Sequence, residues 1–125
     1  MTENEISYKI RGSVFKVYNA LGPGFLESAY ERVLLHELQK EGLTVKSQVA
    51  LPLVYEGIEL DAGYRIDILV ENKVIIEIKS VEQILDVHHK QILTYLKLSG
   101  LKLGLLINFN SANIEKSMFR KVNKL

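Results

Sequence analysis

Two short apolar stretches, joined by a turn-like tripeptide, constrain the fold of this chain more than any other feature. They read YRIDILV over residues 64–70 and VIIEIK over residues 74–79, with Glu71-Asn72-Lys73 between them. β-Branched and large apolar residues on both sides of a polar turn are typical of a β-hairpin. A hairpin centred on Asn72 predicts four facing pairs: Ile66 with Ile78, Asp67 with Glu77, Ile68 with Ile76, and Val70 with Val74.

Each stretch carries a single acidic residue, Asp67 or Glu77. Directly opposed side chains in an antiparallel pair have Cβ atoms roughly 5 Å apart, and like charges placed there destabilise the pair. Two facing carboxylates in an apolar sheet therefore indicate a positive charge between them, for which a divalent cation is the obvious candidate. The alternatives are ordinary salt bridges on an exposed strand pair, such as Glu77 with Arg65, and a register slip that moves Asp67 to the opposite face.

The composition excludes several classes of protein. Of the 125 residues, 47% are hydrophobic and 25% are charged, which predicts one globular domain over residues 1–125. No apolar run approaches the ~20 residues that span a bilayer, and residues 1–5 lack the features of a signal peptide, so we expect no membrane association. The absence of cysteine excludes disulfides and thiolate chemistry, and a cytoplasmic location fits these properties.

Hydrophobic periodicity predicts the remaining elements. The predicted helices cover residues 5–20, 26–40 and 82–99. The predicted extended stretches before the hairpin cover residues 43–51, 53–55 and 58–60, and a buried strand covers residues 103–109. Residues 114–125 fit either a short helix or an edge strand. The expected fold is therefore α/β (α+β), a mixed β-sheet flanked by helices in the order α-α-β-β-β-α-β.

The acidic pair and a neighbouring lysine match the needs of phosphodiester hydrolysis. Strand alternation places Lys79 on the same face as Glu77. Mg²⁺ is commonly held by one or two carboxylates, while water and substrate phosphate complete its coordination. A lysine beside the metal could orient or deprotonate the attacking water, or stabilise charge on the scissile phosphate. Asp67, Glu77 and Lys79 together predict a site for metal-assisted hydrolysis.

The same residues, Asp67 followed by Glu77-x-Lys79, resemble the PD-(D/E)xK nuclease signature. The segment Gly24-Phe25-Leu26-Glu27-Ser28-Ala29-Tyr30 resembles the G-x-x-E-x-x-Y signature of the GxxExxY protein family within that superfamily. The resemblance covers about residues 20–109, although Ile66 stands before the aspartate where the signature has proline. It implies a single-domain restriction-endonuclease-like core and a nuclease that uses Mg²⁺ or Mn²⁺ to cleave nucleic acid, with DNA favoured over RNA.

The resemblance also implies further metal ligands. It assigns Glu27 as the helical acidic residue that completes the metal site of Asp67 and Glu77, and the main-chain oxygen of Ile78 as another ligand. The alternative for Glu27 is a structural role, because a carboxylate in the first turn of a helix is favoured by the helix dipole. Tyr30, which shares a helical face with Glu27, is expected near the substrate.

Residues of the third helix and the hairpin complete the expected site. Gln91 and Tyr95 resemble the Q-x-x-x-Y pattern of the exonuclease branch, where Gln91 would bond to Glu77 or to the water on the metal, and Tyr95 would contact phosphate or support Lys79. The alternative is that Tyr95 belongs to the core. His88 lies one turn earlier on the same stripe and is a weaker candidate, since adjacent histidines near a helix start are more often exposed.

Arg65 faces the same side as Lys79 in the proposed register, so a phosphate would fit between the two positive charges. It could equally be a surface residue paired with Glu59.

Two other functions remain alternatives to a nuclease. The chain could be a nuclease-fold module that binds nucleic acid or a protein partner without cleaving it, or a structural domain whose carboxylates are incidental. The net charge of +1 and the small size leave little surface for gripping DNA. We therefore expect a homodimer or a protein partner to supply the rest.

Overall fold

Three helices enclose a five-stranded sheet in the computed structural model, which describes all 125 residues. The helices are α1 (Glu3–Leu21), α2 (Glu27–Lys40) and α3 (Asp86–Ser99). The strands are β1 (Val45–Tyr55), β2 (Ile58–Val70), β3 (Val74–Lys79), β4 (Leu103–Asn108) and β5 (Met118–Val122), and a 3₁₀-helix at Ile114–Ser117 precedes β5. The predicted fold class and element order are confirmed, and the ambiguous C-terminal segment holds both a short helix and an edge strand. None of the helices combines the length and apolarity that a membrane crossing requires.

The strands lie in the order β1-β2-β3-β4-β5. β3 and β4 are parallel and α3 crosses between them, whereas all other neighbouring strands are antiparallel. Because β3 and β4 run in the same direction, they end at the same edge of the sheet, where Lys79 lies beside Asn108. The predicted site residues Glu77 and Lys79 therefore lie near the edge of the sheet at which β3 and β4 both end.

Two apolar clusters hold the layers together. The larger has 18 buried residues and joins α1 and α2 to one face of the sheet, with Ile76 among them. The smaller has seven and joins α3 to the other face, with Ile75 and Ile92 among them. Gly104 permits this second contact, because a Cβ atom there would lie 2.8 Å from Cδ1 of Ile92. Successive residues of β3 thus enter opposite cores, as strand alternation requires.

β1 and β2 form a longer hairpin than the predicted stretches suggested, because those stretches merge. Glu56 and Gly57 both have positive φ, 51° and 75°, which suits a two-residue turn between twisted strands. Pro52 lies where the register of the β1–β2 ladder shifts, between Leu51 and Leu53. Proline has no N–H to donate, so a break in the ladder is expected there.

Two predicted details are wrong. α3 begins at Asp86 and not at residue 82, because Leu85 has an extended backbone and its N–H donates to Nδ1 of His88, which makes Leu85 the N-cap. The second helix begins one residue later than predicted, because Leu26 is its N-cap residue and is 76% exposed.

Candidate active site

The predicted register of the β2–β3 hairpin is confirmed next to the turn. Val70 pairs with Val74, Leu69 with Ile75, and Ile68 with Ile76. Beyond these pairs the backbone ladder stops, so the predicted backbone pairing of Ile66 with Ile78 and of Asp67 with Glu77 is wrong.

The two acidic side chains replace the missing ladder. The N–H of Asp67 donates to Oε1 of Glu77 at 3.1 Å, and the N–H of Ile78 donates to Oδ2 of Asp67 at 2.8 Å. Each carboxylate therefore accepts a hydrogen bond from the strand opposite its own. The strands part here, and Asp67 and Glu77 lie together in the gap.

A break in strand alternation explains why the ladder stops at Asp67. Ile68 and Val70 enter the larger core, but Ile66 enters the smaller one, although residues two apart on a regular strand share a face. The neighbouring strand β1 breaks at the same level: Val45 packs against the larger core and Val49 against the smaller one.

Glu77 is the most perturbed titratable group in the site. It is 2% exposed, and burial, followed by the negative charge of Asp67, raises its pKa from 4.5 to about 9. The hydrogen bond from the Asp67 N–H and the positive charge of Lys79 oppose this rise. Glu77 is therefore protonated at neutral pH when no cation is present.

The G-x-x-E-x-x-Y segment forms the loop before α2 and its first turn. Gly24 has a φ of 106°, a conformation that glycine adopts readily. Tyr30 is fully buried, stacks on Phe109 at 4.4 Å, and bonds through its hydroxyl group to the carbonyl of Gly22 and the N–H of Phe25. Tyr30 thus holds the loop before α2 from the core side, and its expected place near the substrate stays a prediction.

Glu27 is held close to the end of β3. Its Oε2 accepts a hydrogen bond from the N–H of Ser80 at 3.3 Å, and the Ser80 hydroxyl donates to the carbonyl of Phe25 at 2.6 Å. The loop before α2 and the residue after Lys79 are therefore tied together. Glu27 and Asp67 line one cleft of about 250 Å³ that has no hydrophobic lining residue.

The carboxylates fit a hard cation in chemistry, but the predicted three-residue cage is not assembled. No group of three or more Asp, Glu, His or Cys side chains is close enough to hold a metal ion, so Glu27 does not converge with Asp67 and Glu77. The pair alone still provides the one or two carboxylates by which Mg²⁺ is usually held. The side chain of Ile78 lies in the larger core, and a ligand role for its main-chain oxygen stays a prediction.

The two α3 residues of the Q-x-x-x-Y pattern contact each other. Nε2 of Gln91 donates to the Tyr95 hydroxyl at 3.1 Å. Tyr95 is a core residue, as the alternative held, and packs edge-to-face on Tyr64. Burial, and secondly the charge of Glu77, raises the pKa of the Tyr95 hydroxyl, which places it within electrostatic reach of the acidic pair. The expected bond from Gln91 to Glu77 is absent.

The remaining predicted residues are arranged differently from expectation. Nδ1 of His88 accepts a hydrogen bond from the N–H of Leu85 at 2.9 Å, so this side chain serves to begin α3. Arg65 is exposed and forms an ion pair with neither Glu77 nor Glu59, since the two ion pairs of the protein are Lys16–Glu41 and Lys40–Glu37. Lys79 is likewise unpaired and half-buried.

The structure adds residues that sequence reasoning missed. Nε2 of Gln48 donates to Oε1 of Glu31 at 2.8 Å and to Oδ1 of Asp67 at 3.4 Å. Burial and the nearby charge of Asp67 raise the pKa of Glu31. Glu31 lies four residues after Glu27 on the same helical face, a spacing that could have indicated it. No sequence signal marks Gln48.

Asn108 is a second missed residue, and it fixes the chain just beyond Lys79. Its side chain is buried, its Oδ1 accepts from the N–H of Val81 at 3.1 Å, and its Nδ2 donates to the carbonyl of Val81 at 2.9 Å. These bonds satisfy a buried amide that would otherwise destabilise the fold. The sequence did carry one signal for this residue, because Asn108 is the polar residue that follows the apolar run of residues 103–107.

Glu77→Gln should make the metal-free protein less sensitive to alkaline pH. Because the native pKa is raised, the native state of the wild type keeps a proton that the unfolded chain releases, and stability is lost as pH rises from about 4.5 to about 9. The loss is at most about 1.4 kcal/mol per pH unit. Urea unfolding in a chelator from pH 5 to 9 measures it. Glu59→Gln is the exposed control, and its free energy of unfolding should change with pH as that of the wild type does. If the free energy of unfolding of Glu77→Gln also falls with pH as in the wild type, the raised pKa is contradicted.

Tyr30→Phe should lower the free energy of unfolding by about 1–2 kcal/mol, because it removes one hydroxyl that bonds to the loop before α2. Tyr8→Phe is the matched control, since Tyr8 is 81% exposed, and its change should stay within about 0.5 kcal/mol. Chemical denaturation compares the two. Equal effects would mean that the Tyr30 hydroxyl does not hold the loop.

The comparisons with known proteins concern the family and the fold of the chain. A family model described as PD-(D/E)XK nuclease superfamily matches residues 4–122. A search of curated proteins found no match. Among solved structures, the chain is similar to the protein in "Crystal structure of SSO0001", with a TM-score of 0.60 and 23% identity over 79% of this chain. The chain spans 51% of that protein, and this likeness shows the fold alone.

The family match covers nearly the whole chain, including β2 and β3. The chain belongs to the PD-(D/E)XK nuclease superfamily.

Proposed function

We propose that this protein is a nuclease that hydrolyses phosphodiester bonds of nucleic acid, with DNA favoured over RNA, and that it requires Mg²⁺ or Mn²⁺. The single observation that carries the proposal is the Asp67–Glu77 pair in the gap between β2 and β3. A buried carboxyl group beside a second carboxylate is unfavourable for the empty protein. The same pair becomes favourable once a divalent cation binds, which explains why the sequence keeps it.

Asp67 and Glu77 would hold the cation, and we propose Glu27 and the main-chain oxygen of Ile78 as further ligands. All of these donors are oxygen atoms, which Mg²⁺ and Mn²⁺ prefer. Glu27 is exposed and lines the same cleft as Asp67, and its side chain would exchange its 3.3 Å bond from the Ser80 N–H for contact with the cation. The bound cation would supply Lewis acidity at the scissile phosphate.

Lys79 is the proposed partner of the attacking water. It follows Glu77 by two residues on β3, its positive charge acts on that carboxylate, and no ion pair occupies it. Its Nζ would donate a hydrogen bond to the water or to a phosphate oxygen. The water oxygen would bond to phosphorus and release its proton to solvent, while the bond to the leaving oxygen breaks and that oxygen takes up a proton from solvent.

One residue of β2 and two of α3 would bind the substrate or hold the site in place. Arg65 is exposed and unpaired, and we propose that it contacts the phosphate backbone. Gln91 and Tyr95 lie on the Glu77 side of the sheet and would hold the α3 flank of the site in place. His88 is engaged at the start of α3, so we assign it no part in the reaction.

The family branch, the partners and the cellular location of the protein are part of the same proposal. We propose that it belongs to the GxxExxY branch of the superfamily, and the Gly24–Glu27–Tyr30 pattern supports this. Its net charge of +1 gives little attraction for a polyanion, so a second copy of the chain or a partner protein would supply further DNA-contacting surface. A cytoplasmic location stays a prediction.

One observation favours a second candidate, a nuclease-fold module that binds nucleic acid or a protein without cleaving it. No three-residue metal cage is present, and a fold does not determine activity. Such a module would bind its partner equally well in a chelator and in Mg²⁺.

Metal binding should strengthen as pH rises. Because Glu77 must lose its proton to become a ligand, calorimetric titration with Mn²⁺ should show a higher affinity at pH 8.5 than at pH 6.5 and proton release on binding. Asp67→Asn should bind Mn²⁺ at least about 10-fold more weakly while remaining folded. A wild-type protein that shows neither heat nor thermal stabilisation with Mn²⁺ would exclude the metal site.

Lys79→Ala should reduce the rate of DNA cleavage at least about 100-fold and leave Mn²⁺ affinity within a few-fold of wild type. The control is Lys102→Ala, since Lys102 lies just before β4 at the opposite end of the sheet, and its cleavage rate should be unchanged. Labelled single- and double-stranded DNA and RNA serve as substrates. If the wild type binds Mn²⁺ but cuts none of them, the binding-module function is correct.

A further inference from the structure

We propose that Gln48 is a positioning residue of the site: its side-chain amide holds the Asp67 and Glu31 carboxylates in place without neutralising them. The inference rests on the proposed nuclease function and deepens it. Gln48 belongs neither to the PD-(D/E)xK signature nor to the G-x-x-E-x-x-Y segment. Its assignment comes from its backbone conformation, its two contacts, and the charges that surround it.

The backbone of Gln48 is in an unfavourable conformation. Its φ is 51° in the middle of β1, a left-handed value that glycine and asparagine adopt far more readily than glutamine. The neighbouring residues Ser47 and Val49 pair with Ile68 and Ile66, but Gln48 lies in a gap of the ladder opposite Asp67. Backbone outliers of this kind persist where the surrounding structure needs them, and they cluster at functional sites.

The side chain explains what Gln48 contributes. Its Nε2 donates to Oδ1 of Asp67 at 3.4 Å, at the long end for a hydrogen bond, while the N–H of Ile78 donates to Oδ2 at 2.8 Å. Both oxygens of Asp67 are therefore engaged, one from β1 and one from β3. The same Nε2 donates to Oε1 of Glu31 at 2.8 Å. The amide therefore also connects α2, which carries Glu31, to β1.

The charge of the donor matters as much as its position. The cleft that Gln48 lines holds the acidic residues Glu27, Glu31 and Asp67 and no lysine or arginine. A cation at position 48 would form ion pairs with these carboxylates and compete with a divalent metal. A neutral amide satisfies the carboxylate oxygens and leaves the negative potential of the cleft intact, which a metal site requires.

The test separates the amide from the backbone strain. Gln48→Gly removes the amide and relieves the positive φ, so its Tm should equal or exceed that of wild type. Its Mn²⁺ affinity or kcat should nevertheless fall about 10-fold, and amide exchange of Ile78 should speed up. Glu56→Gly is the matched control, because Glu56 also has a φ of 51° but lies at the far tip of the hairpin. It should gain stability without any change in metal binding, kcat or Ile78 exchange.

A second variant tests the charge argument. Gln48→Lys keeps a donor but adds a positive charge, and it should weaken Mn²⁺ binding further than Gln48→Gly does. If the wild type binds Mn²⁺ and cuts DNA while both variants stay within about 2-fold of it, Gln48 is only a surface residue. If the wild type does neither, the proposed nuclease function itself is overturned, and the inference about Gln48 with it.

Discussion

The site depends on one arrangement, in which the side chain of Glu77 accepts from the N–H of Asp67 and the side chain of Asp67 accepts from the N–H of Ile78. Each carboxylate accepts the N–H that an ordinary antiparallel ladder would have paired with a carbonyl. The hairpin can therefore open without leaving buried N–H groups unsatisfied. The opening places two acidic groups side by side in an apolar sheet, and the raised pKa of Glu77 measures how unfavourable this is for the empty protein.

The surrounding structure holds this unfavourable arrangement in place from several directions. Tyr30 closes the loop that carries Glu27, Ser80 joins that loop to the end of β3, and Asn108 anchors Val81. These contacts connect the loop before α2, the segment after β3 and the end of β4 around the acidic pair. Proteins commonly tolerate an unfavourable local arrangement at functional sites when the surrounding structure compensates for it.

Much of this could be predicted from the sequence, because apolar pattern and turn chemistry determine strand register. The pairs from Val70–Val74 to Ile68–Ile76 follow from the hairpin pattern alone, and the adjacency of Asp67 and Glu77 follows from that register. The end of the ladder could not be predicted, because it depends on side chains accepting backbone hydrogen bonds. The same holds for Gln48, whose role arises from a left-handed backbone and from two partners distant in sequence. The early start predicted for α3 is wrong for a related reason: periodicity cannot show that the N–H of Leu85 bonds to Nδ1 of His88 and makes Leu85 the N-cap.

The central claim is that Asp67 and Glu77 together bind a divalent cation. The most direct test is a crystal soaked in Mn²⁺ at pH 8.5 and examined by anomalous diffraction. The account predicts an anomalous peak in contact with one oxygen of each carboxylate, with Glu77 turned away from the N–H of Asp67. A gap without a peak, in which Glu77 keeps its hydrogen bond to that N–H, would contradict it.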